Sequence, residues 1–552
     1  MSVVEFKINE LEKLIDKTLS DELLKDKIPM MGCDIEYLDK EKVRYEIFPN
    51  RPDLLSQEGF ARALKYFLDL DKGLKKYEVN GKGVKLNKKR VKARPKITAA
   101  IVKNVEITEE ILKSLMQLQE KLHKTIGRNR EKVAIGIHDL DKVNPPFTYK
   151  QVKPGKFKFN PLGCEEELTL KEIKEKHEKG KYANILKGHD KWPVIVDSNN
   201  KTLSFPPVIN SQNTEVTKET RNLFIDVTGT HQETLEKTLN IIVTTLAERG
   251  GEIHKVKIKG LGERPNLEIE EIDVDLDYVN KMLGVDFTEL QFEEHLKRMG
   301  YGFKEKRSLG YDRENTVLIP PYRIDIMHPI DIVEDIAIKH GYDEFKPEIP
   351  EIATIGNSDE MKERESKLKE ILIGLGYQEV KNMVLTNTKN QFEKMNRKKP
   401  ENKLIELKNP LDKKHTVCRS NIMSQLLKNL SNNQHVSYPQ RIFEVGKCLE
   451  LEKTNNNHFE AKTKIKLSLA KSDTKVNYNE ATSLLESIMR NLDQEYKLIE
   501  TENPSFIKGR RAKIVKGKDE IGSIGEIHPK VLNNWRIEKP VIAMELDLDK
   551  LL

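Results

Sequence analysis

Between Pro320 and Asp343 the sequence reads PPYRIDIMHPIDIVEDIAIKHGYD and carries four closely spaced carboxylates, Asp325, Asp331, Glu334 and Asp335. On a helix of 3.6 residues per turn, Asp331, Glu334 and Asp335 share one face, and Asp325 precedes them by one tight turn. Such a set suits a hard, oxygen-seeking cation such as Mg²⁺. The same residues also suit a helix start, with Asp331 as the cap, Glu334 closing a capping box and the positive end of the helix dipole favouring all three acids. Spacing alone leaves both readings open.

A second group of polar residues stands where apolar runs end. Gly136, His138 and Asp139 close VAIGIHD, Asn210 and Ser211 close VINS, and Asp226 and Thr228 sit in FIDVTGT. Polar groups at strand ends, rimmed by apolar walls, form the kind of pocket that reads a small side chain and positions a water. Turn chemistry is the other reading, because Asn, Ser, Asp, Thr and Gly recur in turns for local backbone reasons. A third group is basic. From Lys72 to Lys96 eleven Lys or Arg face one acid, Glu78, so this stretch contributes +10 to a chain whose net charge is +7. Lys88, Lys89, Arg90, Lys92 and Arg94 are its candidate phosphate contacts, with Tyr77 placed to stack on a base. A solvated linker between two domains explains the same composition, and Gly73, Gly81 and Gly83 favour turns there.

The elements that must position these groups alternate between strand-like and helical patterns, which predicts a mixed α and β protein. The length of 552 residues exceeds one core and suggests roughly three to five domains. Residues 58–70 place Phe60, Leu64, Phe67 and Leu68 on one helical face after the NRPD turn. A later stripe of Leu235, Leu239, Ile242, Val243 and Leu246 stops at Gly250 and Gly251, and a short helix over 288–299 is capped by Gly300. The expected domains are 1–95 with the basic linker, 96–265, 266–350 and 355–552, with 344–360 as a connecting segment. With 34% charged residues and a mean hydropathy of −0.62, the chain reads as soluble and cytoplasmic, and no apolar run approaches the roughly 20 residues of a membrane span. Cys33, Cys164, Cys418 and Cys448 are scattered without zinc-ligand spacing, and no GxxxxGK loop is present to bind ATP.

The acidic segment closely resembles a signature of the phenylalanyl-tRNA synthetase β-subunit family, in its archaeal and eukaryotic cytosolic form. The resemblance extends through FPNRPDLLSQEGFARAL at 48–64, VAIGIHDLDKV at 133–143, FPPVINSQNTEVTKETRNLFIDVTGT at 205–230 and LAERGGEIHKV at 246–256. It continues through IELKNPLDKKHTVCRSNIMSQLLKNL at 405–430, RIFEVGK at 441–447, NPSFIKGRRAKI at 503–514 and IGSIGEIHPKVL at 521–532. It implies an α+β multidomain fold: a mixed α/β editing domain, a small helix and strand domain, and a class II synthetase-like antiparallel sheet without its catalytic machinery. Arg441 and Glu444 stand one residue too far apart for the RxE pattern of that class, so Asn409, Pro410, Arg419, Phe443 and Gly446 become structural or interface residues.

Functionally, the resemblance implies a β subunit that supports ATP-dependent attachment of phenylalanine to its tRNA by an α subunit, within an α₂β₂ tetramer, and that hydrolyses mischarged Tyr-tRNA. ATP is then a substrate of the complex. The family assigns Mg²⁺ to Asp325, Asp331, Glu334 and Asp335, the last standing where relatives commonly have Glu. It assigns recognition of the tyrosyl group to Ser211, Asp226 and Thr228, with His138 or Asn210 positioning it and a held water attacking. A scaffold with a decayed editing site and a free-standing deacylase are the rival functions.

Overall fold

The computed structural model describes residues 2–305, 315–401, 403–454 and 458–551, and the chain divides into two units, Met1–Ile349 and Pro350–Leu552. In the first unit, strands β1 (Ser2–Lys7), β2 (Cys33–Leu38) and β3 (Lys42–Ile47) form an antiparallel sheet in the order β1-β3-β2. In β3, Val43, Tyr45 and Ile47 turn inward, as the period of two in a pleated strand dictates. Helix α1 (Ile8–Ile15) follows β1, and α2 (Gln57–Phe67) begins at Ser56, whose hydroxyl accepts the Gly59 N–H at 3.0 Å. Phe60 of α2 packs on Phe6 and Tyr45 with ring centroids 4.7 and 5.4 Å away.

The main sheet has ten strands among the described residues. They are β4 (Asn80–Lys88), β5 (Lys96–Lys103), β6 (Val133–Asp139), β7 (Phe147–Val152), β10 (Trp192–Val196), β11 (Thr202–Phe205), β12 (Ile209–Asn210), β13 (Leu223–Gly229), β14 (Glu252–Ile258) and β15 (Gly262–Arg264). The short hairpin β8 (Lys158–Phe159) and β9 (Leu168–Thr169) lies apart. The order β12-β11-β10-β7-β4-β14-β5-β13-β6 is antiparallel except where β4 pairs β7 and β14 in parallel. The middle of the expected basic linker, Asn80–Lys88, is therefore a central strand. Its apolar face, Val84 and Leu86, packs with Phe147, Tyr149, Val256 and Ile258, and its lysines lie mostly outward.

Helices α3 (Glu109–Lys124) and α5 (Gln232–Ala247) pack on the other face of the sheet through Leu115, Leu118, Leu122, Leu235, Leu239 and Ile242. The predicted α5 stripe is buried as expected. Helix α4 (Leu170–Lys176) opens with a full capping box between Thr169 and Glu172. Strands β16 (Glu270–Val274), β17 (Gly302–Glu305) and β18 (Asn315–Ile319) form a small antiparallel sheet against α6 (Leu276–Leu283), α7 (Glu289–Lys297) and α8 (Pro329–His340).

Among its described residues the second unit holds a seven-stranded sheet running Gln378–Glu379, Gln440–Lys453, Phe459–Ser472, Val541–Asp547, Asp519–Ile527, Phe506–Lys516 and Lys497–Glu500. The first pair is parallel and the rest are antiparallel. Helices Glu360–Gly374 and Tyr478–Asn491 cover one face through Leu368, Leu372, Leu485 and Ile488. Met423–Asn432 and Pro529–Trp535 contribute to the other core through Leu426, Leu427 and Val531. Within it Arg419 and Glu444 form a buried pair at 2.8 Å. A Cβ on Gly446 would stand 2.3 Å from Arg419 Nη2, so the strand passes too close to that pair for any side chain.

Candidate functional site

A cavity of about 240 Å³ opens where β6, β13, the 204–210 segment and α3 converge. Strand pairing explains the convergence: β13 lies beside β6 with Asp226 opposite Gly136 and Phe224 opposite His138. Asp226 and Thr228, two residues apart, point to the same side and line the cavity, as does Asn210. Gly136 is required by space, since a Cβ there would meet Asp226 Oδ2 at 2.2 Å and His138 Nε2 at 2.7 Å.

His138 stands behind the cavity wall rather than in it. It is fully buried, with Nε2 2.9 Å from Asp226 Oδ2 and Nδ1 2.9 Å from Thr214 Oγ1. A carboxylate only accepts, so Nε2 carries the proton that it donates to Asp226. The ring therefore fixes the carboxylate of Asp226. Ser211 is also displaced from its expected place. It is buried, its hydroxyl donates to Asn160 O at 3.2 Å and accepts the Asn213 N–H at 3.3 Å, and it caps the turn Gln212–Thr214. Asn210, one residue earlier, donates to Ile137 O at 3.1 Å and does reach the cavity. Asp139 accepts the Thr220 hydroxyl at 2.7 Å and the Asp141 N–H at 3.1 Å, which is turn chemistry.

Sequence reasoning missed several wall residues. Ser204 lines the cavity, and its hydroxyl, like that of Thr228, is buried with no partner among the described residues. Two such hydroxyls facing a cavity are poised for a ligand, because leaving them unpaired costs about 1 to 3 kcal/mol each. From the opposite side come Glu120 and His123 of α3 and Arg130. Arg130 donates to Pro207 O and Val208 O at 3.2 and 3.0 Å and pairs with Glu120. His123 Nε2 accepts the Ile135 N–H at 2.8 Å, and burial pushes this imidazole down to about 4. The hydrogen bond from His123, then Arg130, holds Glu120 ionised, down to about 2. A second space of about 460 Å³ shares Leu162, Lys179, Ile209 and Glu215 with the first.

The basic candidates divide. Lys89, Arg90 and Lys92 are exposed, and Lys88 is half-buried, its amine lowered by burial and by Lys96. Arg94 is corrected from a tRNA contact to an internal brace. It is 1% exposed and donates to Arg130 O, Glu131 O and Thr228 O at 3.0, 3.1 and 2.6 Å, with burial lowering it to about 10. It thus ties two walls of the cavity together.

The acidic group is held apart by protein partners. Asp325 makes a bidentate pair with Arg323 (2.9 and 2.7 Å), and Arg323 Nη1 lies 2.6 Å from Asp335 Oδ2, a proximity without hydrogen-bond geometry. Asp335 also accepts the Tyr301 hydroxyl. Asp331 is not the cap. His328 is, and Asp331 closes its capping box, accepting the N–H groups of Met327 and His328 at 2.8 Å each. Glu334 points outward, its carboxyl pushed up by partial burial and by Asp335 and Asp331. Among the described residues no group of three or more His, Cys, Asp or Glu side chains is arranged to hold a metal. The buried guanidinium occupies the place between Asp325 and Asp335 that a cation would take, so the donor set does not fit a resident Mg²⁺ in this chain.

Three family models match: the B3/4 domain over residues 89–249, the tRNA synthetase B5 domain over 272–342 and the phenylalanyl tRNA synthetase beta chain CLM domain over 346–548. The cavity lies within the first, the acidic helix within the second and the seven-stranded sheet within the third. These define an aminoacyl-tRNA synthetase chain. The phenylalanine–tRNA ligase beta subunit of Methanocaldococcus jannaschii is 43% identical over the whole of both chains, and that of Archaeoglobus fulgidus is 41% identical over 99% of this chain and 98% of its own. A solved N-terminal fragment of the phenylalanyl-tRNA synthetase beta subunit from Pyrococcus horikoshii is 39% identical. It matches with a TM-score of 0.58 over 61% of this chain and 99% of the fragment. The chain belongs to the family of phenylalanine–tRNA ligase beta subunits.

Proposed function

We propose that the chain works with an α subunit as an α₂β₂ phenylalanine–tRNA ligase, in which α activates phenylalanine with ATP and this chain removes tyrosine wrongly esterified to the tRNA. The first part rests on family membership. The second rests on one observation: the cavity presents a carboxylate, Asp226, locked in place by a buried imidazole and flanked by the unpaired hydroxyls of Thr228 and Ser204.

Tyrosine differs from phenylalanine by one hydroxyl, and an apolar synthetic pocket discriminates poorly against an added hydroxyl, so a second sieve is needed. A cavity built to hydrogen-bond that hydroxyl works in the opposite sense. Phenylalanine would leave buried polar groups unpaired, and such sites reject the analogue lacking the group by about 10⁴-fold or more. Asp226 accepts a hydrogen bond from the phenolic hydroxyl, and Thr228 and Ser204 complete the ring of polar contacts. Asn210 holds the rim. A water then adds to the ester carbonyl, the bond to the ribose oxygen breaks, and tyrosine and free tRNA leave. Among the described residues no Ser-His-Asp array lines the cavity, which favours water as the attacking group.

The second unit serves as a catalytic-like scaffold in this reading, since the buried Arg419 is taken up internally by Lys447 O, Gln425 Oε1 and the nearby Glu444. The test is release of tyrosine from Tyr-tRNA beside release of phenylalanine from Phe-tRNA, with and without α. Selective tyrosine release that falls about 100-fold in Asp226→Ala supports editing here. Undiminished release by that variant overturns the assignment, and no release even with α leaves a scaffold.

A further inference from the structure

Register partners in adjacent strands stand side by side on one face of a sheet. Lys85 of β4 is the register partner of Lys257 of β14. Lys255, two residues before Lys257, shares that face. Gly83 lies beneath both, because a Cβ there would come within 3.0 Å of Lys257 Cγ and 3.5 Å of Lys255 Cβ. On the far side of β4, Asn87 pairs with Thr148 of β7, so alternation brings Lys89 and Lys150 to the same face. The Lys89 N–H bonds Tyr149 O at 2.9 Å, and the Lys150 amine is pushed down by burial and by Lys89.

Five lysines thus cover one face of three adjacent strands, whose other face is core. Lys85, Lys89 and Lys257 are exposed. Like charges set side by side in neighbouring strands destabilise a sheet. Glu263 of β15 answers Lys255 and Lys257 at 2.9 and 3.1 Å, while Lys85 and Lys89 form no ion pair among the described residues. The backbone positions of Lys85 and Lys257 are neighbours about 4.8 Å apart, and Lys85 and Lys89 stand about 13 Å apart along β4, a spread suited to a run of phosphates rather than to one small anion.

We propose that this lysine face of β4, β7 and β14 binds the phosphate backbone of the tRNA whose 3′ end enters the cavity. The partner's identity rests on the editing reading, and the charge pattern supplies the surface. Each phosphate contact adds about 0.7 to 0.9 to the slope of log affinity against log salt. The experiment measures tRNA binding by the full chain with its α partner over about 50 to 300 mM salt. Lys85→Gln, Lys89→Gln and Lys257→Gln are combined, against a charge-matched control of Lys17→Gln, Lys27→Gln and Lys40→Gln on exposed sites elsewhere.

The proposal expects the slope to fall by about 2 in the triple variant but not in the control. The KM for Tyr-tRNA rises with kcat unchanged, and hydrolysis of tyrosyl-adenosine, which lacks the backbone, stays at the wild-type rate. A triple variant matching the control in slope and KM overturns it. Wild-type protein that hydrolyses neither ester, yet shows the slope difference, removes the editing reading and leaves the tRNA surface standing.

Discussion

Asp226 and His138 are joined through a 2.9 Å hydrogen bond in which neither residue is exposed by more than 1%, and only Asp226 reaches the cavity. The pair divides labour between contact and position. Replacing His138 by Gln keeps a donor toward the carboxylate, whereas Ala leaves Asp226 free to rotate. Tyrosine release from Tyr-tRNA is expected to fall about tenfold or more in His138→Ala, mostly in kcat, with His138→Gln recovering part of the loss. Equal, full activity in both variants refutes a positioning role.

Gly136 offers a test that removes no polar group. A methyl at this position would overlap both members of the pair, at 2.2 and 2.7 Å. Gly136→Ala is expected to suppress tyrosine release while phenylalanine attachment by the complex continues. The overpacking costs about 1 to 3 kcal/mol in the stability of the first unit, readable by thermal denaturation. An unchanged deacylation rate would mean that the strand shifts freely, and that the close approach is not what shapes the site.

Arg94 separates a basic residue from a nucleic-acid contact. Its guanidinium spans Thr228 O on β13 and the carbonyls of Arg130 and Glu131. Arg94→Gln is expected to destabilise by about 3 kcal/mol, through carbonyls left without a charged donor, and to impair tyrosine release. The salt slope of tRNA binding should stay at the wild-type value. A reduced slope would return Arg94 to the surface role that its sequence neighbours suggest.

What could be read from the sequence depended on whether the pattern was local. The α5 stripe, the short helix α7 and the helix bearing Asp331, Glu334 and Asp335 are set by residues three and four apart and appear where expected, although His328 rather than Asp331 caps the last of them. Strand β4 escaped because one face is open: its lysines outnumber Val84 and Leu86 and mask the alternation. In the pocket, Asp226 and Thr228 were legible from FIDVTGT. Ser211 was not correctly placed, because one residue along an extended chain exchanges inside for outside, and Asn210 took the inward position. Ser204, Glu120, His123 and Arg130 reach the same cavity from separate elements, a juxtaposition that only the sheet order creates.

His123 gives the first unit a pH dependence with a definite sign. Burial holds its folded value at about 4, below the roughly 6.5 of an exposed imidazole, so the unfolded chain binds the proton more readily. Stability is full above that unfolded value and is lost as pH falls toward 4. Between pH 7 and 5 the loss from this residue is about 2 kcal/mol. Urea unfolding of His123→Gln, which retains an acceptor for the Ile135 N–H, should show a flatter dependence over that interval. A variant with the wild-type slope would assign the dependence to other groups.

The acidic helix makes its prediction through Arg323. This buried guanidinium lies between Asp325 and Asp335, and Tyr301 donates to Asp335, so the carboxylates are neutralised from within the chain. A cation that bound the folded chain and not the unfolded one would raise stability by RT ln(1 + [L]/Kd). The melting temperature of the chain without α is therefore expected to be the same in millimolar Mg²⁺ and in EDTA. Arg323→Met should cost about 3 kcal/mol, because it removes the guanidinium from the buried Asp335 and the part-buried Asp325 and leaves Asp335 only the more distant Arg51 at 4.0 Å. In that variant Mg²⁺ should begin to stabilise, since the ion can then answer the charges the guanidinium leaves behind. A Mg²⁺-dependent rise in the wild-type chain would show instead that Arg323 yields its place, and that Asp325, Asp331, Glu334 and Asp335 act as ligands after all.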